Sequence, residues 1–221
     1  MRPMGDVTQL RGKGEALRAI FRDALATFCE DAVGNILHGV TERNLCQRLA
    51  IPLEHVARNN GFASYRADVE YNRNNDGHLK TAVSPERNEV VTITCDLILH
   101  SRGERVQDNL IAIEMKRSTH RASHMAKDRY RLVALTRRPF EDVWPEPLLD
   151  EAKGVQIDIR HVCDYEVGYL VVLHAAKRIF SIEEYAGGEM VGSYAHSFAE
   201  EAERYLSSTA TRVPTGPRRS R

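Results

Sequence analysis

Residues 110–116 have the sequence Leu-Ile-Ala-Ile-Glu-Met-Lys, an apolar segment that ends in a carboxylate and an ammonium. Side chains alternate between the two faces of a strand, so Ile111, Ile113 and Met115 are predicted to face a core. Glu114 and Lys116 then share the opposite face. Charges beside a core cost free energy unless they have partners or a function, so this pair is a candidate site. The ordinary alternative is an exposed ion pair on an edge strand.

A second β segment precedes this one. Residues 90–100 are rich in β-branched and apolar side chains, which predicts one strand, and residues 101–109 are a polar connection. The hairpin so formed brings Asp96, in the middle of the first strand, close to Glu114. Two adjacent carboxylates repel each other unless a cation lies between them, and Mg²⁺ prefers oxygen ligands. The alternative for Asp96 is an acid at a bulge or strand end.

The remaining segments predict a chain of mixed helices and strands. Helices are expected over residues 14–33, ended by Gly34, from Thr41 onward with a kink or a split at Pro52, and over 120–136 and 195–206. Further strands are expected over 64–73, 165–173 and 178–185, and a loop over 74–89. This order predicts an α/β fold with a mixed central sheet flanked by helices. We expect one domain, residues 1–208, and a disordered basic tail, residues 209–221.

Composition excludes several classes of protein. The 221 residues contain 31 Lys and Arg and 31 Asp and Glu, so net charge indicates no partner. Apolar runs stay well short of the roughly 20 residues of a membrane span. Four cysteines without a CxxC pair indicate reduced thiols in a cytoplasmic protein, and the short apolar runs indicate that it has no membrane partner. His120 and His124 have the spacing of zinc ligands on a helix, but no third ligand is evident.

Basic residues concentrate just after the proposed site. Residues 116–138 contain eight Lys and Arg and a single acid, Asp128. A basic helix beside a metal site would attract a phosphate backbone, which makes DNA the expected partner and Arg117, Arg121 and Lys127 candidate substrate contacts. The alternative is a solvated helix face.

The pattern Asp96…Glu114-x-Lys116 resembles the PD-(D/E)xK nuclease superfamily, which has the restriction-endonuclease-like fold. The resemblance covers residues 41–185, with Cys95 at the position that is often proline in the family. It implies a Mg²⁺, or Mn²⁺, dependent hydrolase of phosphodiester bonds. Asp96 and Glu114 match the two metal-binding acids, and Lys116 matches the catalytic lysine.

The resemblance implies further site residues. The backbone carbonyl of Met115 would be a metal ligand, and Glu42 matches a helix glutamate that many members have. Asp128 or Lys127 could occupy the polar position that some members have on the following helix. No separate organic cofactor is implied.

A subgroup resemblance extends the comparison. Residues 68–73, His100 and Arg102 look like those of uncharacterised prokaryotic nuclease-like proteins, some linked to mobile elements or antiviral defence. His100 and Arg102 are then further candidate substrate contacts.

The expected function is therefore a metal-dependent endonuclease acting on DNA. Its substrate preference, including DNA against RNA, and a protein partner or homo-oligomer stay open. The alternative is a catalytically inactive nuclease-fold protein that binds nucleic acid or acts as an assembly subunit of a defence system. A third reading is an interaction protein unrelated to nucleic acid.

Overall fold

A computed structural model of the chain describes residues 7–71, 81–84, 89–92, 94–137, 148–150, 155–157 and 164–210. The predicted tail lies outside these residues from 211 onward. Four helices are α1 (Val7–Leu37), α2 (Glu42–Asn59), α3 (Ala122–Thr136) and α4 (Ala199–Ala210). Ten strands are β1 (Arg66–Val69), β2 (Thr81–Ser84), β3 (Glu89–Thr92), β4 (Leu97–His100), β5 (Asn109–Arg117), β6 (Leu148–Asp150), β7 (Val155–Ile157), β8 (Val167–His174), β9 (Ile179–Ala186) and β10 (Glu189–Ser197).

The central element is a six-stranded mixed sheet with the order β1-β4-β5-β8-β9-β10. All its neighbouring strands are antiparallel except β5 and β8, which run parallel with Glu114 opposite Leu170. Helix α3 lies in the connection between these two strands, as a parallel pair requires. The hairpins β2–β3 and β6–β7 form two separate small sheets. The predicted α/β class with a mixed sheet and flanking helices is confirmed.

The two faces of the central sheet bury different side chains. Helices α1, α2 and α4 cover one face, where Ile111, Ile113 and Met115 belong to the larger core cluster. Helix α3 covers the other face, where Leu132 and Leu135 pack with Ala112 and other residues in the smaller cluster. The alternation predicted for residues 110–116 is therefore correct, and it directs Glu114 and Lys116 toward the α3 side.

Two helix predictions need correction. Gly34 does not end the first helix, which continues to Leu37. A Cβ at Gly34 would lie 2.9 Å from the ring of Tyr205 in α4, so the glycine permits a close helix contact instead. Thr41 caps α2 as predicted, because its hydroxyl accepts a hydrogen bond from the Asn44 N–H at 3.3 Å. Pro52 lies inside α2 without splitting it.

The strand predictions were wrong in three places. Residues 90–100 are two strands in different sheets, β3 and β4, separated around Asp96. The predicted loop 74–89 contains β2, although residues 72–80 and 85–88 lie outside the described part. Residues 189–197 form β10, whereas the final helix was expected from residue 195.

The described cysteines are unpaired thiols, as their spacing in the sequence predicts. Cys29, Cys46 and Cys95 are buried free thiols, and burial raises the pKa of Cys29 to about 12. Cys163 lies outside the described residues. Within the described ranges, none of the helices combines the length and apolarity that a membrane crossing needs.

Candidate active site

Four elements converge at the carboxyl end of β5. Glu114 and Lys116 come from β5 itself, and Asp96 comes from the segment that leads into β4. The first residue of α2 is Glu42, and Asp128 lies in the first half of α3. Hairpin pairing of β4 with β5 explains the approach of Asp96, because Leu97 is opposite Ile113. The acids thus reach one place from distant positions in the chain.

The ammonium of Lys116 lies at the centre of this group. Its Nζ atom donates hydrogen bonds to Oδ2 of Asp96 at 2.9 Å and to the carbonyl of Met115 at 3.0 Å. Nζ also lies 3.7 Å from Oδ2 of Asp128, 3.9 Å from Oε2 of Glu114 and 4.0 Å from Oε2 of Glu42. Burial alone would lower the pKa of Lys116, but Asp96, Glu114 and Asp128 together outweigh burial and raise it.

Asp96 lies just before β4, where its side chain bonds to β5. Its Oδ2 accepts the backbone N–H of Met115 at 2.9 Å, so a side chain takes the place of a backbone acceptor beside β5. Its own carbonyl accepts the N–H of Glu70 at 3.1 Å. Asp96 is therefore fixed by both neighbouring strands and directed at the end of β5.

Glu114 is a fully buried carboxylate, with 0% exposure. Its Oε1 lies 3.1 Å from Nε of Arg131, which projects from α3. Burial raises the pKa of Glu114 well above its usual range, and nearby Asp96 adds to the shift, while Arg131 and Lys116 oppose it. Arg131 and Lys116 therefore offset only part of the cost of burying this acid.

Glu42 closes the site from the α2 side. Its Oε1 accepts the backbone N–H of Arg117 at 2.9 Å and lies 3.2 Å from Nε2 of His120. The guanidinium of Arg117 donates to the carbonyl of Val40, just before α2. The start of α2 is thus attached to the end of β5.

The charge and donor types of this cluster fit a divalent cation. Four acidic side chains share the cations of Lys116 and Arg131, with His120 as a third contact of Glu42, so the acids outnumber these two permanent cations. The buried Oε2 of Glu114 accepts no hydrogen bond within the described residues. No three Asp, Glu, His or Cys side chains of those residues are already arranged as a ligand set. Lys116 occupies the space between the acids, and oxygen donors of this kind suit Mg²⁺.

His100 and Arg102 belong to a different cluster. His100 ends β4, at the opposite end of the strand from Asp96, and its Nε2 lies 2.8 Å from Oδ2 of Asp68. Arg102 donates two hydrogen bonds to the same carboxylate, at 2.6 and 2.7 Å. These contacts lower the pKa of Asp68, although burial alone would raise it. The structure therefore uses both residues to join β4 to β1 and does not bring them to Lys116.

The other predicted substrate contacts lie around the start of α3. Arg121 is the residue before the helix and Lys127 lies within it, and both are exposed. His124 is also exposed on this segment, with its ring 6.4 Å from that of His120. These residues present basic groups close in sequence to Lys116.

Arg131 is the site residue that sequence reasoning missed. The sequence of α3 did contain a signal for it, through Asp128. This acid precedes Leu132 and Leu135 by one and two helical turns and so lies on the buried stripe of the helix. Asp128 is 2% exposed and accepts a hydrogen bond from Arg131. A buried acid on such a stripe requires a cation nearby, and the basic run supplied several candidates.

Comparison with known proteins gave no relative. The chain matched no family model, no curated protein and no solved structure. Functional inference therefore depends on the geometry of the site.

Proposed function

We propose that the protein is a metal-dependent nuclease that hydrolyses phosphodiester bonds, with DNA as its substrate. The observation that carries the proposal is the convergence of Asp96, Glu114 and Glu42 on Lys116, from three separate elements. This is the set of residues that the resemblance to the PD-(D/E)xK superfamily implies. Prokaryotic defence is the setting that the same resemblance favours.

Asp96 and Glu114, with the carbonyl of Met115, would hold Mg²⁺ or Mn²⁺, and Glu42 would orient a ligand or hold a second ion. The bound metal supplies charge that polarises the phosphoryl group and stabilises the leaving oxygen. Lys116 orients the attacking water and stabilises charge on it. A bond forms between the water oxygen and phosphorus as the water loses a proton to solvent, the bond between phosphorus and the 3′ oxygen breaks, and the 3′ oxygen takes up a proton from solvent. The products are a 5′-phosphate and a 3′-hydroxyl.

The basic segment around α3 supports a polyanionic substrate. Arg121 and Lys127 are exposed and follow Lys116 closely in the chain. Each phosphate neutralised by such a side chain releases counterions and adds salt-dependent affinity.

The test is cleavage of supercoiled, linear, single-stranded and RNA substrates with Mg²⁺, Mn²⁺ and EDTA. We expect DNA cleavage that needs metal and is lost in Asp96→Asn, Glu114→Gln and Lys116→Met. Asp108→Asn is the matched control, because Asp108 is a buried acid that binds Ser101 and Gly103 in the β4–β5 loop. Equal activity in the wild type and the three site variants would refute the proposal.

A non-catalytic nucleic-acid-binding subunit is the second candidate. The favouring observation is that Lys116 already pairs with Asp96, so the acids have a counter-charge without metal. DNA binding that persists in EDTA and in Lys116→Met, without cleavage under any metal, would identify this function.

A further inference from the structure

The guanidinium of Arg131 holds three acceptors at once. Its Nη2 donates to Oδ1 of Asp128, its Nε lies 3.1 Å from Oε1 of Glu114, and its Nη1 donates to the carbonyl of Thr94 at 3.1 Å. The fork geometry of arginine suits this task, whereas an ammonium has no fixed plane. Arg131 therefore joins α3 to β5 and to the segment before Asp96.

Because Arg131 contacts only one oxygen each of Glu114 and Asp128, the other oxygen of each acid faces Lys116. Oε2 of Glu114 lies 3.9 Å from Nζ of Lys116, and Oδ2 of Asp128 lies 3.7 Å from it. Both oxygens are buried and accept no hydrogen bond within the described part of the chain. A buried carboxylate oxygen without a donor is costly, and Nζ of Lys116 lies beyond hydrogen-bond distance of both oxygens, so this arrangement favours a cation that lies closer to the two of them.

We propose that Asp128 is a third carboxylate of the metal site and that Arg131 is its positioning residue. The inference rests on the proposed function and adds to it a ligand from α3, beside Asp96 and Glu114. Arg131 binds the outer oxygens of Glu114 and Asp128 and so directs their inner oxygens at one point. Metal binding then requires the Lys116 ammonium to move out of the space between the acids.

The position of Asp128 supports a functional role. It precedes Leu132 by one helical turn on the stripe of α3 that packs against the sheet, where an apolar residue would be more favourable. The Arg131 side chain is partly exposed, so water could solvate its charge if Asp128 were absent. Arg131 therefore does not by itself explain why a buried acid occupies position 128.

The test measures Mn²⁺ affinity of the full-length chain without DNA, by electron paramagnetic resonance of free Mn²⁺. We expect Asp128→Asn, which keeps the size of the side chain, to weaken Mn²⁺ binding by about tenfold or more. Asp108→Asn, the matched buried acid outside the site, should stay within about twofold of the wild type. Equal affinity of Asp128→Asn and wild type, or equal weakening in both variants, would overturn the inference.

Arg131→Lys provides a second measurement, which decides the matter if Asp128→Asn does not fold. Lysine keeps the charge but loses the fork, so we expect Mn²⁺ affinity to fall by about tenfold, in line with the effect of outer-shell partners in other metal sites. An unchanged affinity would overturn the positioning role. If the wild type itself binds no Mn²⁺, the proposed function fails together with this inference, whereas wild-type binding with unaffected variants refutes the inference alone.

Discussion

The Nζ atom of Lys116 donates a hydrogen bond to Oδ2 of Asp96 over 2.9 Å and stands among the carboxylates that would hold a metal. The ammonium and a divalent cation therefore compete for the same oxygens. We expect Lys116→Met to bind Mn²⁺ several-fold more tightly than the wild type while losing DNA cleavage. Isothermal titration calorimetry of the two proteins measures the difference, and weaker binding by the variant would contradict the competition.

Glu114 should lower the stability of the folded protein at neutral pH. Its pKa is raised well above 4.5, so above pH 4.5 the unfolded chain releases the proton that the folded protein retains, and stability falls as pH rises. Glu114→Gln removes this effect. We expect the variant to gain about 1 kcal/mol or more at pH 7–8, a rise in Tm of about 2–4 °C. The gain should shrink toward pH 4.5 in thermal unfolding measured across pH, and a loss at pH 8 would contradict it.

Asp68 should have the opposite effect of Glu114, since it stabilises the folded protein at neutral pH. Its pKa lies below the usual 3.8 because Arg102 and His100 bind the carboxylate despite its partial burial. Its contribution is complete above pH 3.8 and is lost as the pH falls through the lowered value. Asp68→Asn should therefore cost about 2 kcal/mol in urea unfolding at pH 7, and less near pH 3. Metal-dependent cleavage by the folded variant should be unchanged, since Asp68 contacts none of the acids around Lys116.

Gly34 and Tyr205 are expected to be coupled. Alanine in a helix is favoured over glycine by about 1 kcal/mol, but a Cβ at position 34 would meet the Tyr205 ring at 2.9 Å. Gly34→Ala should therefore stabilise the Tyr205→Ala protein by about 1 kcal/mol and the wild type by less, or not at all. A double-mutant cycle of unfolding free energies measures the coupling. Purely additive effects would show that the ring moves aside without cost.

Lys127 should contribute to salt-dependent DNA binding. If it contacts one phosphate, Lys127→Ala reduces the slope of log K against log salt concentration by about 1. Arg48→Ala is the control, since Arg48 is an exposed cation on α2, across the sheet from α3. Fluorescence anisotropy over a salt series in EDTA gives both slopes. A larger change in the control than in Lys127→Ala would place the DNA elsewhere.

The sequence was most informative where one periodicity determined the structure. Alternation along residues 110–116 placed Ile113 in one core and Glu114 on the opposite face, as observed. The hairpin with β4 followed from the polar connection between the two apolar segments. Local pattern was sufficient there because neighbouring strands in the chain are also neighbours in the sheet.

Tertiary contacts explain most of the errors. The continuous apolar character of residues 90–100 gave no sign that the Asp96 carboxylate would accept the N–H of Met115 and interrupt the strand. Gly34 has the usual signature of a helix end, and only the ring of Tyr205, from the far end of the chain, explains its place inside α1. His100 and Arg102 were predicted as substrate contacts from a resemblance, and the sequence did not indicate that both would bind Asp68, as the structure shows.

Strand β5 has one neighbour that is close in the chain and one that is distant. It pairs with β4 through a short loop, whereas its parallel partner β8 begins at Val167, 50 residues after β5 ends at Arg117. During synthesis on the ribosome, this edge of β5 stays unpaired until β8 has emerged, and helix α3 is made before one of the strands that it packs against. The residues of the acidic cluster, from Glu42 to Arg131, are therefore all synthesised before the parallel partner of their central strand, and a chain truncated before residue 167 would carry them on a β5 with an unpaired edge.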